Sequence, residues 1–357
     1  MGWTRKKARL FWIKLRNWEY WPTLAFYWPM CIYGPLLALR YRHPCFFSAA
    51  NPGMYISGLG LESKYETLQS IPIQARPRSI RIKRGTSDEI LWQALEQEGL
   101  RFPLVAKPDI GFRGLLVAVT DTFEALAAHL RAFPVDFIVQ EFLDFPEEVG
   151  VFYVRFPGAD RGRVVSLTLK QFLGVSGDGR SSVRALIEKD SRAWIQVLSA
   201  GLGHLPPASL ESVPEEGSAV RLSSIGNHSR GTRFINGSAH IDEALHRTFD
   251  ELSRGIPGFY YGRFDVKCES LAALKQGKNF KIIELNGIGA EPTQIYDQSS
   301  GTYLGALATI MRYWTVVARI SAANHDAGAP YISAWGMLRA LADLRTYLRG
   351  IKRVAAR

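Results

Sequence analysis

Between residues 261 and 286 the chain reads Tyr-Gly-Arg263-Phe-Asp265-Val-Lys267-Cys-Glu269. A polar interval ending in Lys275-Gln-Gly277-Lys-Asn279 follows, and then Phe280 to Asn286. Polar and apolar residues alternate in the first stretch. As a strand it sets Arg263, Asp265, Lys267 and Glu269 on one face and Phe264, Val266 and Cys268 on the other. The same i, i+2 rule places Glu284 and Asn286 together on the second strand. If the strands pair as a hairpin, an aspartate, a glutamate and an asparagine meet beside an arginine. Three oxygen ligands of that kind suit Mg²⁺, and the neutral asparagine leaves positive charge for phosphate oxygens to complete. The alternative is an exposed hairpin with ordinary surface charges. Against it, Ile282-Ile283-Glu284-Leu285-Asn286 sets two polar groups in an apolar run, where burial without partners costs on the order of several kcal/mol.

Upstream, Leu104-Val105-Ala106-Lys107-Pro108 reads as a buried strand ending in a lysine, followed by Asp-Ile-Gly111-Phe-Arg113-Gly114. A glycine-containing tip lets backbone N–H groups approach phosphate oxygens, and the lysine adds a point charge. The turn is neither a Walker A loop nor GxGxxG, and alone it is weak evidence for phosphate binding. No GxSxG or Cys–His signature offers a covalent nucleophile. For an acceptor site the loop Ile225-Gly-Asn227-His228-Ser229-Arg230-Gly231-Thr232-Arg233 stands out. Arg230 or Arg233 could grip a carboxylate in a bidentate fork, with surface loop chemistry as the plain alternative for His228.

The elements that must position these residues alternate irregularly. Apolar runs at Pro103 to Ala106, Leu115 to Val119, Phe137 to Val139, Val149 to Val154 and Val164 to Leu169 read as strands. Asp121 to Ala132, Ser182 to Ser199 and Ile241 to Arg254 read as helices with polar starts. Gly201 to Gly237 reads as loop and short strands. The expected class is α+β, without the strand–helix rhythm of a Rossmann sheet.

With 357 residues and 47% hydrophobic content the chain can bury a real core, so disorder is excluded. Cys31, Cys45 and Cys268 are too few for a disulfide scaffold, and the seven histidines form no zinc motif. The net charge of +11 sits at the ends. Residues 1–42 carry eight basic groups against Glu19, and residues 339–357 carry six against Asp343, leaving −1 for the body. A neutral body argues against nucleic-acid binding. Five of the nine tryptophans (Trp3, Trp12, Trp18, Trp21, Trp28) lie in the first 28 residues, and Trp21 to Leu39 is uncharged. Pro22, Pro29 and Pro35 would interrupt a spanning helix. Aromatic and basic residues together suit the headgroup level, so an interfacial or re-entrant anchor is expected ahead of a span or a segment packed on the body. At the other end Leu338, Leu341, Leu344, Leu348 and Ile351 keep the period of one helix face, with Arg339, Arg345, Arg349, Lys352 and Arg353 mostly off it. A basic amphipathic helix of this kind either lies on an anionic membrane or docks on the core.

Taken in order, Lys107-Pro with its glycine turn, Val139-Gln-Glu141-Phe142-Leu143 with Glu148 seven residues after Glu141, Arg263-x-Asp265 and Glu284-x-Asn286 resemble the ATP-grasp ligases. The branch that contains D-alanine–D-alanine ligase is the most similar, and the match covers roughly residues 60 to 300. The resemblance implies two α+β lobes clamping ATP, with Mg²⁺ or Mn²⁺. It implies that Lys107 contacts the α- and β-phosphates, and that the Gly111 to Gly114 turn covers them. Glu141 and the backbone near Phe142 and Leu143 would read the adenine edge, and Glu148 the ribose hydroxyls. Asp265, Glu284 and Asn286 would hold the metal, and Arg263 would steady the acyl-phosphate and the tetrahedral oxyanion. Lys64, in Glu62-Ser63-Lys64, takes roughly the place of an earlier nucleotide lysine. Gly177-Asp-Gly-Arg180-Ser-Ser-Val183 is similar to a segment of cyanophycin synthetase and related peptide-forming members. The chain departs from D-alanine–D-alanine ligase in lacking its full N-terminal α/β domain and in the long Asp265 to Glu284 interval.

The expected organisation is a membrane-associating segment at 1–50, a lead-in lobe at 51–100, an ATP-grasp domain at 101–310 and C-terminal helices at 311–357. The expected function is an ATP-dependent carboxylate–amine (or carboxylate–thiol) ligase joining a small carboxylic acid to an amine at the cytoplasmic face of a membrane. A soluble amino-acid or peptide ligase, with the termini used for homodimer contacts, is a second reading. A non-catalytic nucleotide-binding switch is the competing class.

Overall fold

The computed structural model describes residues 3–111, 114–200, 207–223, 226 and 231–355. In chain order the elements are α1 (Trp3–Arg16), α2 (Thr23–Tyr27), α3 (Met30–Arg40), α4 (Lys64–Gln69), β1 (Ser79–Ile82), α5 (Asp88–Gln97), β2 (Leu104–Pro108) and β3 (Ala118–Thr120). Then come α6 (Phe123–Ala132), β4 (Phe137–Glu141), β5 (Glu147–Val154), β6 (Arg163–Gln171), β7 (Gly174–Ser176), α7 (Val183–Lys189), α8 (Ser191–Ala200), α9 (Pro207–Glu211) and β8 (Ala219–Arg221). The last are β9 (Arg233–Asn236), α10 (Glu243–Arg254), β10 (Tyr261–Cys268), α11 (Leu271–Lys275), β11 (Phe280–Asn286), α12 (Tyr303–Asp326) and α13 (Ala334–Ala355). The class is α+β with antiparallel strand pairing, as the sequence leads one to expect. Residues 182–199 form two helices, α7 and α8, broken at Asp190, whose carboxylate accepts from Ala193 N.

The chain forms two compact units. The first draws on residues 1–28, 169–236 and 293–307. Its core joins Leu173, Val175, Val183, Leu186, Ile187, Ala193, Leu210 and Leu222 around the β7–β8 pair. The Gly177-Asp-Gly segment starts α7. Asp178 accepts from the backbone N–H groups of Ser181 and Arg180 and from Lys189 Nζ, and Ser182 caps the helix at Ala185 N. Those N–H groups, Ser181 first, hold the Asp178 carboxyl well below the usual range. The N-terminal segment is fastened within this unit. Arg192 Nη2 lies 2.6 Å from both carboxylate oxygens of Glu19, a pair almost fully removed from water, and Arg9 stacks over Trp194 at 4.5 Å.

The second unit draws on residues 29–168, 237–292 and 308–357 and holds two sheets. The first sheet has the strand order β1-β4-β2-β3. Helices α5 and α6 cover one of its faces through Leu91, Leu95 and Leu126 packed on Leu104, Ala106, Phe137 and Val139. Both helices begin at a hydroxyl cap, Ser87 and Thr122, which satisfies an orphan N–H of the first turn. In the second sheet β11, β10, β5 and β6 lie side by side in that order. On one of its faces Phe264, Val266, Cys268, Ile282 and Leu285 are buried, and Phe249 of α10 lies 5.3 Å from Phe264. The other face is apolar only at one end, where Phe152, Val154 and Tyr261 pack on Tyr313, Val317 and Ile320 of α12.

At the ends, the expected interruption of the apolar run at Pro22 and Pro29 is found, and the expected C-terminal stripe is revised. The uncharged run from Trp21 to Leu39 breaks into α2 and α3, and among the described residues no helix is long and apolar enough to cross a membrane. The inward stripe of α13 is Met337, Ala340 and Ile351, whereas Leu338 and Leu341 face solvent. Helical period alone could not choose between these two adjacent stripes, because both are apolar.

Candidate active site

The face of the first sheet turned away from α5 and α6 carries Lys107. Its register partner Ile138 pairs with Arg81, and Val105, Gln140 and Ser79 continue the same face. Lys107 Nζ donates to Ile283 O of β11 at 2.9 Å, so the lysine reaches across to the second sheet of its own unit. Ile283 is accessible to it because β11 bulges there. The register passes from Asp265↔Glu284 to Val266↔Ile282, leaving Ile283 without a partner opposite.

On that second sheet the alternation works as the spacing predicts. Arg263 lies opposite Asn286 and Asp265 opposite Glu284 on β11, while Asp265 lies opposite Gly150 and Lys267 opposite Glu148 on β5. Asp265 is buried and tied on both oxygens. Arg263 donates from Nε (3.1 Å) and Nη2 (3.0 Å), and Asn286 Nδ2 donates at 3.1 Å. Arg263 Nη1 also donates to Glu291 O, which fixes the guanidinium plane. Gly150 makes room beneath this pair, since a Cβ there would lie 3.3 Å from Arg263 Cδ and 3.7 Å from Asp265 Oδ1. Glu284 accepts from Lys64 Nζ.

Lys64 stands at the start of α4, and Asp109 is what brings it to Lys107. The buried Asp109 carboxylate accepts from Ser63 Oγ (2.8 Å) and Tyr65 N (2.9 Å), and its carbonyl accepts from Lys64 N. The two ammonium groups thus converge on one site. Burial pulls Lys64 down to about 8, resisted by Glu62 and Asp265. Burial, and then the neighbouring Lys64, pull Lys107 down to about 7. A pair of buried lysines with lowered proton affinity is a site prepared for an anion, whose charge would restore both.

The remaining sequence candidates are placed as follows. Glu141 accepts from Arg78 N (2.9 Å) and Nε (3.1 Å). Phe142 and Leu143 form the segment after β4, where Lys267 Nζ lies 5.3 Å from the Phe142 ring and donates to Leu143 O at 2.9 Å. Glu148 is buried on the Asp265 face of β5. Gly111 and Gly114 flank two residues outside the described ones, and Gly114 has φ +72. Tyr347 of α13 donates to Ile110 O just before that turn. Arg230 and His228 lie outside the described residues. The long interval between β10 and β11 is taken up by α11 rather than by a plain loop.

Asp265, Glu284 and Asn286 fit a hard cation in donor type, with two carboxylates and one amide oxygen on paired strands. Among the described residues no group of three or more His, Cys, Asp or Glu gathers as a metal site, so further ligands would have to come from substrate or water. Three supports of the site depend on partners that sequence spacing does not show. Asp109 follows Lys107-Pro108 directly, but nothing in spacing says that it ties to Ser63. Lys267 showed itself in the alternation without its partner Leu143 O. Asn51 is fully buried: its Nδ2 donates to Tyr261 O (2.7 Å) and Ser57 O (3.1 Å), and its Oδ1 accepts from Tyr260 N and Tyr261 N. It anchors the entry to β10.

No protein-family model and no curated protein matches the chain. Among solved structures it is similar to the bifunctional glutathione synthetase from Pasteurella multocida, with 18% identity over 70% of this chain and 36% of that one and a TM-score of 0.37. It is also similar to VanG D-Ala:D-Ser ligase from Enterococcus faecalis, with 13% identity, 71% and 61% coverage and a TM-score of 0.40. A third is D-alanine–D-alanine ligase from Bacillus anthracis complexed with ATP, with 11% identity, 77% and 72% coverage and a TM-score of 0.42. The chain spans less than two thirds of the length of the first two.

Proposed function

We propose that this chain is an ATP-grasp carboxylate–amine ligase that activates its acid as an acyl-phosphate and releases ADP and phosphate. The supporting observation is the convergence of two buried, proton-poor lysines with an Arg–Asp–Glu–Asn set on paired strands. A carboxylate is a poor electrophile towards an amine. Its oxygen would attack the γ-phosphorus of ATP as the bond to ADP breaks. The amine would then attack the acyl carbon, lose a proton and expel phosphate. Such a phosphoryl transfer asks the protein chiefly for positioning and charge neutralisation.

Lys107 and Lys64 would meet the phosphate oxygens, exchanging Ile283 O and Glu284 for them. Glu284, so released, joins Asp265 and Asn286 as the set that would hold Mg²⁺. The ion, when bound, neutralises charge on the phosphate oxygens. Arg263, held flat by Asp265 and Glu291 O, would present its guanidinium to the oxyanion. Glu148 would take the ribose, Glu141 and the Phe142–Leu143 backbone the adenine edge, and the 111–114 turn would close over the phosphates. Arg230 would grip the substrate carboxylate. The basic, aromatic ends favour work at a membrane surface.

The test is ADP and phosphate release with Mg·ATP and pooled carboxylic acids, with hydroxylamine trapping acyl-phosphate as hydroxamate. Acid-dependent hydroxamate that disappears in Asp265→Ala supports the reading. ATP binding without turnover on any pool favours the nucleotide switch, and absence of ATP binding rejects both.

A further inference from the structure

Helix α3 is apolar on both sides. Inward, Leu37 packs with Phe46 and Ala318 of α12, and Tyr33 OH lies 2.6 Å from Thr315 Oγ1. Outward, Ile32 (59%), Leu36 (56%) and Leu39 (75%) are exposed at spacings of one helix face, joined by Cys31 and Pro35. No charged residue occurs in the helix before Arg40, and Arg42 follows. Helix α13 has the same construction. Met337 and Ala340 pack against Cys45 and Ile56, while Trp335 (76%), Leu338 (60%) and Leu341 are bare beside exposed Arg339 and Arg345. The C-terminal end of α3 adjoins the N-terminal end of α13, because His43 stacks on Tyr331 at 4.8 Å and Ile332 N donates to Ser48 Oγ.

We infer that the outward faces of α3 and α13 dock the protein on an anionic lipid bilayer. Their apolar side chains enter the acyl boundary and their arginines reach the headgroup phosphates. This rests on the membrane placement proposed above and names the surface that accomplishes it. At ~1.5 Å per residue α3 is about 16 Å long, roughly half the hydrocarbon thickness, so it lies along the interface instead of crossing it. Charge selects the bilayer over a second copy of the chain. Within residues 30–43 and 334–351 the only acidic side chain is Asp343, against Arg40, Arg42, Arg339, Arg345 and Arg349. Two such faces pressed together would set arginine against arginine, whereas anionic headgroups neutralise them. In the other unit α1 independently shows the same composition, with Ala8, Phe11, Trp12 and Leu15 exposed at helical spacing beside Lys14 and Arg16.

The experiment is cosedimentation of the full chain with phosphatidylcholine vesicles, with and without roughly a third phosphatidylglycerol. The expected result is binding to the anionic vesicles at least tenfold tighter than to the neutral ones. Ile32→Ser/Leu36→Ser/Leu39→Ser should weaken it about tenfold or more, and Arg339→Glu/Arg345→Glu should remove the preference for anionic lipid. All five positions are exposed, so circular dichroism and ATP affinity should stay as in the parent chain. Failure of the parent chain to bind, or equal binding by the triple-serine variant, overturns the inference. So does a lipid-free dimer in sedimentation velocity that the triple-serine variant dissociates. None of these readouts involves ATP turnover, so their failure leaves the ligase reading standing, and failure of the ligase assay leaves them interpretable.

Discussion

Burial holds the Lys107 ammonium at about 7 and Lys64 at about 8, and under the proposed function this would make nucleotide binding a proton-linked event. At pH 8 about nine tenths of Lys107 and about half of Lys64 are neutral in the unliganded protein, whereas an engaged phosphate favours both charged forms. Binding of Mg²⁺ with a non-hydrolysable ATP analogue should therefore take up about 1.4 protons at pH 8, about 0.6 at pH 7 and about 0.1 at pH 6. Titration calorimetry in two buffers of widely different ionisation enthalpy reads this number directly. Lys107→Met should remove about 0.9 of the uptake at pH 8. Buffer-independent heats at pH 8, or undiminished uptake in Lys107→Met, would refute the buried-lysine argument. The sign also fixes the stability of the unliganded protein. Both lysines have lowered affinity for protons in the folded state, so the unfolded chain binds more of them. Stability should rise with pH from about 7 until the unfolded lysines titrate near 10.4, as thermal melts across that range would show.

Removing Arg263 leaves the buried Asp265 without its bidentate partner. Arg263→Met should cost about 3–5 kcal/mol in urea unfolding and abolish hydroxamate formation. Arg263→Lys should fold but turn over at least about a hundredfold more slowly, with ATP affinity within a few-fold of the parent. Asn51→Ala strands the backbone N–H groups of Tyr260 and Tyr261 and takes a donor from the carbonyls of Tyr261 and Ser57, the second of which keeps Ile288 N. A loss of about 3 kcal/mol in urea unfolding is expected, and a change within about 0.5 kcal/mol would contradict the clamp. In the first unit Arg192→Met leaves the buried Glu19 carboxylate without its guanidinium, and the segment before residue 28 should become the first site cut in limited proteolysis. Gly150→Ala should lower turnover while leaving Asn51-dependent stability intact, since its Cβ presses on Arg263 Cδ alone within 3.4 Å.

The site was legible in the sequence wherever it depends on strand alternation. Arg263, Asp265, Glu284 and Asn286 share a face because side chains alternate with period two, and any pairing of β10 with β11 near that register brings them together. The α+β class followed in the same way from short apolar runs separated by capped helices. What the sequence could not show is which distant segments share a partner. Asp109 binding Ser63, Lys107 reaching Ile283 O and Asn51 gripping Tyr261 join residues 46, 176 and more than 200 positions apart. The β11 bulge leaves only a trace, since apolar–polar alternation slips by one residue at Ile282-Ile283 and the register alone shows which residue lacks a partner opposite.

The ends of the chain show the same division. Composition determined that they are basic and aromatic and that the body between them is nearly neutral, because charge is a property of residues irrespective of folding. Which apolar stripe of α13 turns inward was decided by the core it meets. Cys45 and Ile56 take up Met337 and Ala340, and Leu338 and Leu341 are left outside. The sequence likewise supplied Lys64 and Lys107 and, far along the chain, the Asp265, Glu284 and Asn286 set. Only the tertiary structure made the two lysines proton-poor, because the low dielectric that shifts a lysine comes from neighbours folded around it.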